Sequence, residues 1–359
     1  MRAYGRRKAL ALAAGLLAAA TACSGGAQPP PATPAASASP SPSASLDEPA
    51  VTRSEAAEAF DAVTVTDDLL RVSAGREGQD ELEGRLAMAL DQMVGGQWQL
   101  SVAAFLSTGY APPRYQWGPP TLFVPRFPQE EQAPWFSALA TRDGRPTLLT
   151  FARSDRWRLS SMAELLPGQE LPAIKLDADG YASVVASDDK TVTISPQFIG
   201  PVHASVAETG TAGVTAGLLA TGPYTTDVAE QIAAHREQAK SDGFSYDSIF
   251  SAESFPVYAL RTEDGGALIQ YSLSRTTSTT TKTAEDDYIS VPEPARWAIS
   301  TPVLRRNLRL IETHQYATAV PPHRPRRGAR DRPRRRAHPG HRPVAAGSLT
   351  DPALVNYGC

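Results

Sequence analysis

Asp177-Ala178-Asp179-Gly180 has the look of a calcium loop, with carboxylates on alternate residues ahead of a glycine that turns the chain. Setting the two aspartates at the third and fifth loop positions puts Lys175 at the first and Ala186 at the last, where the ion needs carboxylates. A plain turn is therefore expected, with aspartate accepting from its own backbone. Asp188-Asp189 and Asp286-Asp287 are adjacent pairs. Neighbours in an extended chain point apart, so neither forms a shared acid–base site. His203, His235 and His314 each lack a second His or Cys at ligand spacing. There is no G-x-S-x-G elbow, and no S-x-x-K near a turn suited to a serine nucleophile. The glycines of ETGTAGVTAG match neither phosphate-binding pattern. No catalytic residue, no metal site and no cofactor are predicted. Tyr110, Tyr115, Trp117, Phe123, Phe127, Trp135 and Phe136 cluster among prolines. They form either an ordinary core or the lining of a pocket for an apolar or peptide-like ligand.

One side chain is instead placed to be modified. Ala20-Thr21-Ala22-Cys23 resembles the lipobox of bacterial lipoproteins, small residues ahead of an obligatory cysteine, with Ala where Leu is usual at the first position. By that resemblance Cys23 carries a thioether-linked diacylglycerol and becomes the mature N-terminus. The segment that would deliver it fits. Arg2, Arg6, Arg7 and Lys8 precede an apolar run from Ala9 to Ala20, too short for a stable membrane span, which is the build of an export signal. Cys359 is the only other cysteine, so acylation of Cys23 leaves no intramolecular disulfide, and the core must hold the fold. Residues 24–50 are mostly Pro, Ala, Ser and Gly and bury too little to offset their ordering entropy. They are expected to be a disordered tether with a reach on the order of 30 Å.

Charge separates the rest. The signal carries four positive charges and the stretch from His323 a net seven, against −3 for the whole chain, which leaves −14 on residues 23–322. An acidic body argues against nucleic acid as a partner. The tail, residues 323–359, holds nine arginines and no lysine and has no apolar periodicity. That composition is what a shifted frame yields in a GC-rich gene, and the tail is expected to be disordered, out-of-frame translation. A genuine basic tail for anionic lipid or teichoic acid stays open.

Within the body, VTRSEAAEAFDAVTVTDDLLRV opens a helix capped by Thr52 or Ser54, with Ala57, Phe60, Val63 and Val65 as its apolar stripe. ELEGRLAMALDQMV is a second helical piece, and then the period changes. PWFSALATRD, RPTLLTFARS and RWRLSSMAELL alternate as an antiparallel meander with Asp143-Gly144 as a tight turn. TTDVAEQIAAHREQAKSDG is an amphipathic helix with Val228 and Ile232 on its buried side, stopped by Gly243. It precedes two strands around Asp264-Gly265. Ala138, Leu139, Thr141, Asp143 and Gly144 match Ala259, Leu260, Thr262, Asp264 and Gly265 at a constant offset of 121. Trp157-Arg158-Leu159 and Leu308-Arg309-Leu310 lie in equivalent last strands. The fold class is therefore α+β. Two tandem units, 51–170 and 171–322, each pack helices on one face of a curved antiparallel sheet in a cystatin-like or NTF2-like manner. LPGQELPAIKLDADG joins them, and RTTSTTTKT, residues 275–283, is expected at a solvated hairpin tip.

VTRSEAAEAFD, WFSALATRDGRPTLLTFARSDRWRLSS and FPVYALRTEDGGALIQYSLSR resemble lipoproteins of GC-rich actinobacteria that carry a domain of unknown function, over about Val51 to Pro322. The resemblance implies an envelope location and transfers no site residue. The expected protein is a membrane-anchored extracytoplasmic lipoprotein, not an enzyme, held to the membrane through its lipid and binding an envelope ligand or protein that the sequence does not identify. Two other readings stay open: an envelope hydrolase using carboxylates outside any motif, and a structural or regulatory accessory of a membrane complex.

Overall fold

The computed structural model describes residues 49–71, 78–127, 133–252, 255–282 and 288–323. The signal, Cys23, most of the tether, Asp286-Asp287, the tail beyond His323 and Cys359 lie outside these. The chain is mixed α+β, with five α-helices and open antiparallel sheets among the described residues.

Helix α1 (Arg53–Leu70) begins where Thr52 accepts a hydrogen bond from the Glu55 amide, satisfying one of the helix's free donors. Its buried stripe is Ala56, Ala59, Phe60, Val63 and Asp67. This is a rotation away from the predicted one, since Ala57 is half-buried and Val65 is 58% exposed. The phase is set by the sheet below it and by the buried Asp67–Arg71 ion pair one turn apart (2.6 Å). Helices α2 (Gln79–Asp91) and α3 (Gly95–Ser107) follow. Strands β1 (Thr121–Phe123), β2 (Trp135–Arg142), β3 (Arg145–Arg153) and β4 (Trp157–Glu164) form the first sheet in that order. Asp143 and Gly144 both take positive φ (52° and 80°), the backbone of a two-residue hairpin turn that Asp-Gly tolerates.

The second half opens with α4 (Pro196–Thr209), a helix that Gly200 and Pro201 in its interior argue against, although Pro196 stands at its first position, where proline is tolerated. Burial overrides propensity here. Ile199, His203, Val206 and Ala207 face the core. Gly200 passes so close to the next layer that a Cβ would sit 2.9 Å from that of Ala252. Helix α5 (Thr226–Ser241) has Ile232 fully buried and ends at Gly243, φ 84°. Strands β5 (Phe244–Ser251) and β6 (Tyr258–Arg261) pair with opposite halves of β7 (Ala267–Thr281), whose other edge runs antiparallel to β10 (Asn307–Val320). A small pair, β8 (Ile289–Ser290) and β9 (Val303–Leu304), closes one end. Thr276 to Thr281 thus lie inside a strand and not at a hairpin tip. Threonine's branched side chain favours the pleated surface, and Thr276 to Thr280 pair with both β5 and β10.

Alternation divides each sheet into two faces. Phe136, Ala138, Leu149 and Phe151 meet α1, whereas Ile269, Tyr271, Leu273 and Tyr316 meet α4 and α5. The opposite faces meet each other: Trp135, Leu148 and Ala163 of the first sheet pack on Tyr258, Leu260, Leu268 and Ala317 of the second. The layers run helix, sheet, sheet, helix. The connector carries the union further. Ala182 bonds to Val124 beyond β1 while Val185 and Lys175 bond to Ala259 and Arg261 of β6, so the connector, folded back on itself at 176–182, ties both sheet edges. The aromatic cluster divides between these cores. Phe136 stacks on Phe151 at 4.8 Å, and Trp135 tilts against Tyr258 at 5.2 Å. Five of its seven rings, Trp117, Phe123, Phe127, Trp135 and Phe136, pack in or against these cores.

The inter-sheet layer is polar at its centre. Gln270 donates to the Leu148 carbonyl (3.1 Å) and accepts from Thr150. Gln315, fully buried, accepts from the Met162 amide (2.9 Å) and donates to the Ser160 carbonyl (3.2 Å), standing in for a strand beside β4, where a bulge breaks the register at Thr150/Phe151. Removing that amide strands one buried donor and one buried acceptor. Gln315→Met is expected to lower unfolding stability by about 3 kcal/mol in urea melts, although it keeps the side chain's length. A Met variant within about 0.5 kcal/mol of the parent would show that volume alone is what the position needs.

Candidate functional site

Two concavities lie on the helix-facing side of the second sheet. The smaller, about 270 Å³, is bounded by α4, the 217–225 loop and the ends of β7 and β10. Its polar centre is closed on itself. His203 Nε2 donates to the Tyr224 carbonyl (2.6 Å), which leaves Nδ1 to accept from the Tyr271 hydroxyl (2.7 Å). That hydroxyl also meets Thr318 Oγ1 at 3.0 Å. Burial pushes the imidazole down to about 4 and raises the Tyr271 phenol. Every polar atom of the chain of contacts has a partner, so its role is to tie α4 to β7, β10 and the loop before α5.

The larger is a groove of about 790 Å³, within the range usual for small-molecule sites. It exists because β7 and β10 are longer than the helices that cover them. The α4–α5 layer packs on the first half of the ribbon, and Ile289, Val291, Ala295 and Ile299 pack with Leu308 at its far end. Between them the sheet face lies open. Strand register arranges its floor in cross-strand rows, Arg275–Glu312, Thr277–Leu310 and Tyr246–Thr279–Leu308, while Phe250 and Ser248 sit buried beside the first two. One wall is the last half of α5, with His235, Gln238 and Asp242, and the other includes Tyr288 and Pro292.

Arg275 is the best-supported group on that floor. Its Nε donates to Ser248 Oγ (2.8 Å), an Nη reaches Tyr246 Oη (3.4 Å), and the guanidinium lies 5.5 Å over the Phe250 ring. Glu312 faces it at 3.8 Å, an ion pair without a hydrogen bond. Burial raises the Glu312 carboxyl above the ordinary range, and Arg275 opposes that shift. Further into the same strand, burial pushes His314 down to about 3, with Arg275 and His203 adding to the effect.

The residues singled out from the sequence lie elsewhere. Asp177 and Asp179 both pair with Arg126 (2.8 and 2.6 Å), and Asp177 also accepts from the Asp179 and Tyr181 amides, which makes the segment the expected turn. Asp189 pairs with Arg261 and accepts from Thr191, while Asp188 is not among its contacts. Among the described residues no three His, Cys, Asp or Glu side chains converge as a metal site would need. Arg275 and Glu312 were missed. The signal was present as the period-two run Arg275, Thr277, Thr279 with Leu308, Leu310, Glu312 opposite, but only a strand assignment for 275–281 makes it visible.

The mixed α+β body is a domain that recurs in other chains. This chain belongs to the family described as Domain of unknown function (DUF8094), whose model matches residues 47–331. It is 29% identical over 280 residues to an uncharacterized lipoprotein of Streptomyces coelicolor, covering 73% of this chain and 74% of that one. An uncharacterized lipoprotein of Streptomyces avermitilis is also 29% identical over 143 residues, 38% of this chain and 40% of that protein. No solved structure matches. No helix among the described residues is long and apolar enough to cross a membrane.

Proposed function

We propose that the protein is a binding module of the cell envelope, anchored to the membrane on its extracytoplasmic face through acylated Cys23, that takes up its ligand in the groove over β7 and β10 without transforming it. The groove carries this reading, because Arg275 and Glu312 are held together on a rigid strand pair at the base of a ligand-sized recess. The lipoprotein names of the relatives from both Streptomyces species support the anchor. Hydrogen exchange on the full-length protein tests the site. Adding a solubilised envelope fraction is expected to protect the second half of β7 and the first half of β10, and the Arg275→Ala/Glu312→Ala double variant is expected to lose that protection. Protection confined to other strands, or none, overturns the assignment.

We also infer that residues 51–170 and 171–322 are copies of one unit, each with helices ahead of a curved antiparallel meander of the cystatin-like or NTF2-like kind. In support, Asp143-Gly144 joins β2 to β3 and Asp264-Gly265 joins β6 to β7, each followed by a third antiparallel strand. From His323 onward we propose out-of-frame translation. Resequencing is expected to find an insertion or deletion near codon 322 that restores an arginine-poor ending. An intact frame with the same basic tail in relatives would defeat the idea.

A further inference from the structure

The chemistry of the groove narrows what it can hold. Charge comes first. Arg275 and Glu312 face each other at 3.8 Å, so the floor presents a dipole close to neutral rather than a field of one sign. A strongly anionic ligand would meet Glu312 and Asp242, and a strongly cationic one would meet Arg275. Hydrogen-bonding capacity comes next. The single Nε proton of Arg275 is used on Ser248, and one Nη group meets Tyr246, but its other Nη group has no partner among the described residues. Glu312 accepts no hydrogen bond from any described residue, although burial raises its carboxyl above the usual range. The floor therefore offers a free guanidinium donor and a free carboxylate acceptor within one side chain's breadth. Two adjacent hydroxyls would satisfy both at once, one donating to Glu312 and the other accepting from Arg275.

The surroundings match that requirement. Thr277 and Thr279 continue the polar row along β7, and these hydroxyls can give or take a proton. Tyr246 on the floor and Tyr288 on one wall line the recess, where the apolar C–H face of a ring-shaped ligand could lie against an aromatic ring. An acyl chain would desolvate the second Nη group of Arg275 and the Glu312 carboxylate without offering either a hydrogen bond, which is costly. From this we infer that the groove binds a neutral, hydroxyl-rich ring compound, a sugar of one or two rings belonging to the envelope glycan, with vicinal hydroxyls bridging Arg275 and Glu312.

The inference rests on the groove being the ligand site, and the experiment separates the two. Full-length protein is kept in a zwitterionic detergent without a sugar headgroup. It is titrated calorimetrically with trehalose, cellobiose and N,N′-diacetylchitobiose as neutral probes, and with spermidine and citrate as charged ones. At least one disaccharide is expected to bind. Glu312→Gln and Arg275→Met should each weaken it by about tenfold or more. Tyr288→Ala, at a half-exposed position where folding is not at risk, should weaken it several-fold. Arg236→Ala, which removes only an exposed pair with Asp247, should leave it unchanged. If a charged probe binds in the groove with the same sensitivity and no disaccharide does, the sugar assignment falls while the ligand site stands. If no probe of either kind responds to the groove variants, both fall.

Discussion

Replacing Cys23 with serine is expected to move the protein almost completely from the membrane fraction to the soluble one. The thiol is the only group in Ala20-Thr21-Ala22-Cys23 that can form a thioether, and serine keeps the size of the side chain while removing that chemistry. The size of the effect follows from the number of chains. Each buried methylene contributes about 0.8 kcal/mol, so one acyl chain holds a protein marginally and reversibly, while two hold it stably. Losing both leaves the tether, an acidic body and the stretch from His323, whose arginines can hold to an anionic surface only electrostatically and therefore reversibly. Fractionation with mass measurement of the released protein checks this. A serine variant that stays with the membrane and keeps the mass of a diacylglycerol would overturn the anchor.

Acid is expected to destabilise the folded body steeply as pH falls below about 6.5. His203 and His314 are buried, with values pushed down to about 4 and about 3 from an ordinary 6.5. A histidine held neutral in the folded state takes up a proton more readily when the chain unfolds. Stability is then full above about pH 6.5 and lost as pH falls from there toward the folded values. At about 1.4 kcal/mol per unit, His203 alone accounts for roughly 3 kcal/mol and His314 for somewhat more. Against a total of about 5–15 kcal/mol, the pair can bring the body close to unfolding near pH 4. Glu312 acts in the opposite sense, since a raised carboxyl binds its proton better in the folded state. Asp68, Asp177 and Asp189 are lowered by their arginine and hydrogen-bond partners and add losses only below about pH 4. The interval between is left chiefly to the two histidines. Urea midpoints measured across it should fall with pH in the parent and fall less steeply in His203→Gln. Parallel curves would show that His203 does not carry the dependence.

Much of this protein follows from its amino-acid sequence directly, because it depends on local or compositional physics. A basic segment, a short apolar run and a cysteine after small residues carry the proposed export and lipidation signal without any fold. A stretch of Pro, Ala, Ser and Gly has nothing to bury. Thr52 capping α1, Ile232 facing inward on α5 and Asp-Gly closing β2 to β3 are decided within a few residues of themselves, so the periodicity shows them. Other features depend on partners far along the chain. Helix α4 forms although Gly200 and Pro201 disfavour it, because its buried face is stabilised by a sheet that comes more than sixty residues later, at Tyr271. The phase of α1 is set by Phe136 and Phe151 rather than by its own stripe. The threonine run looks like a solvated tip until β5 and β10 flank it. Above all, neither Arg275 nor Glu312 has a partner nearby in sequence. They become a pair only because two long strands align residue for residue in register, and they become a site only because the helices covering that ribbon stop short. Register and layer length are tertiary properties, set by which faces must be buried together.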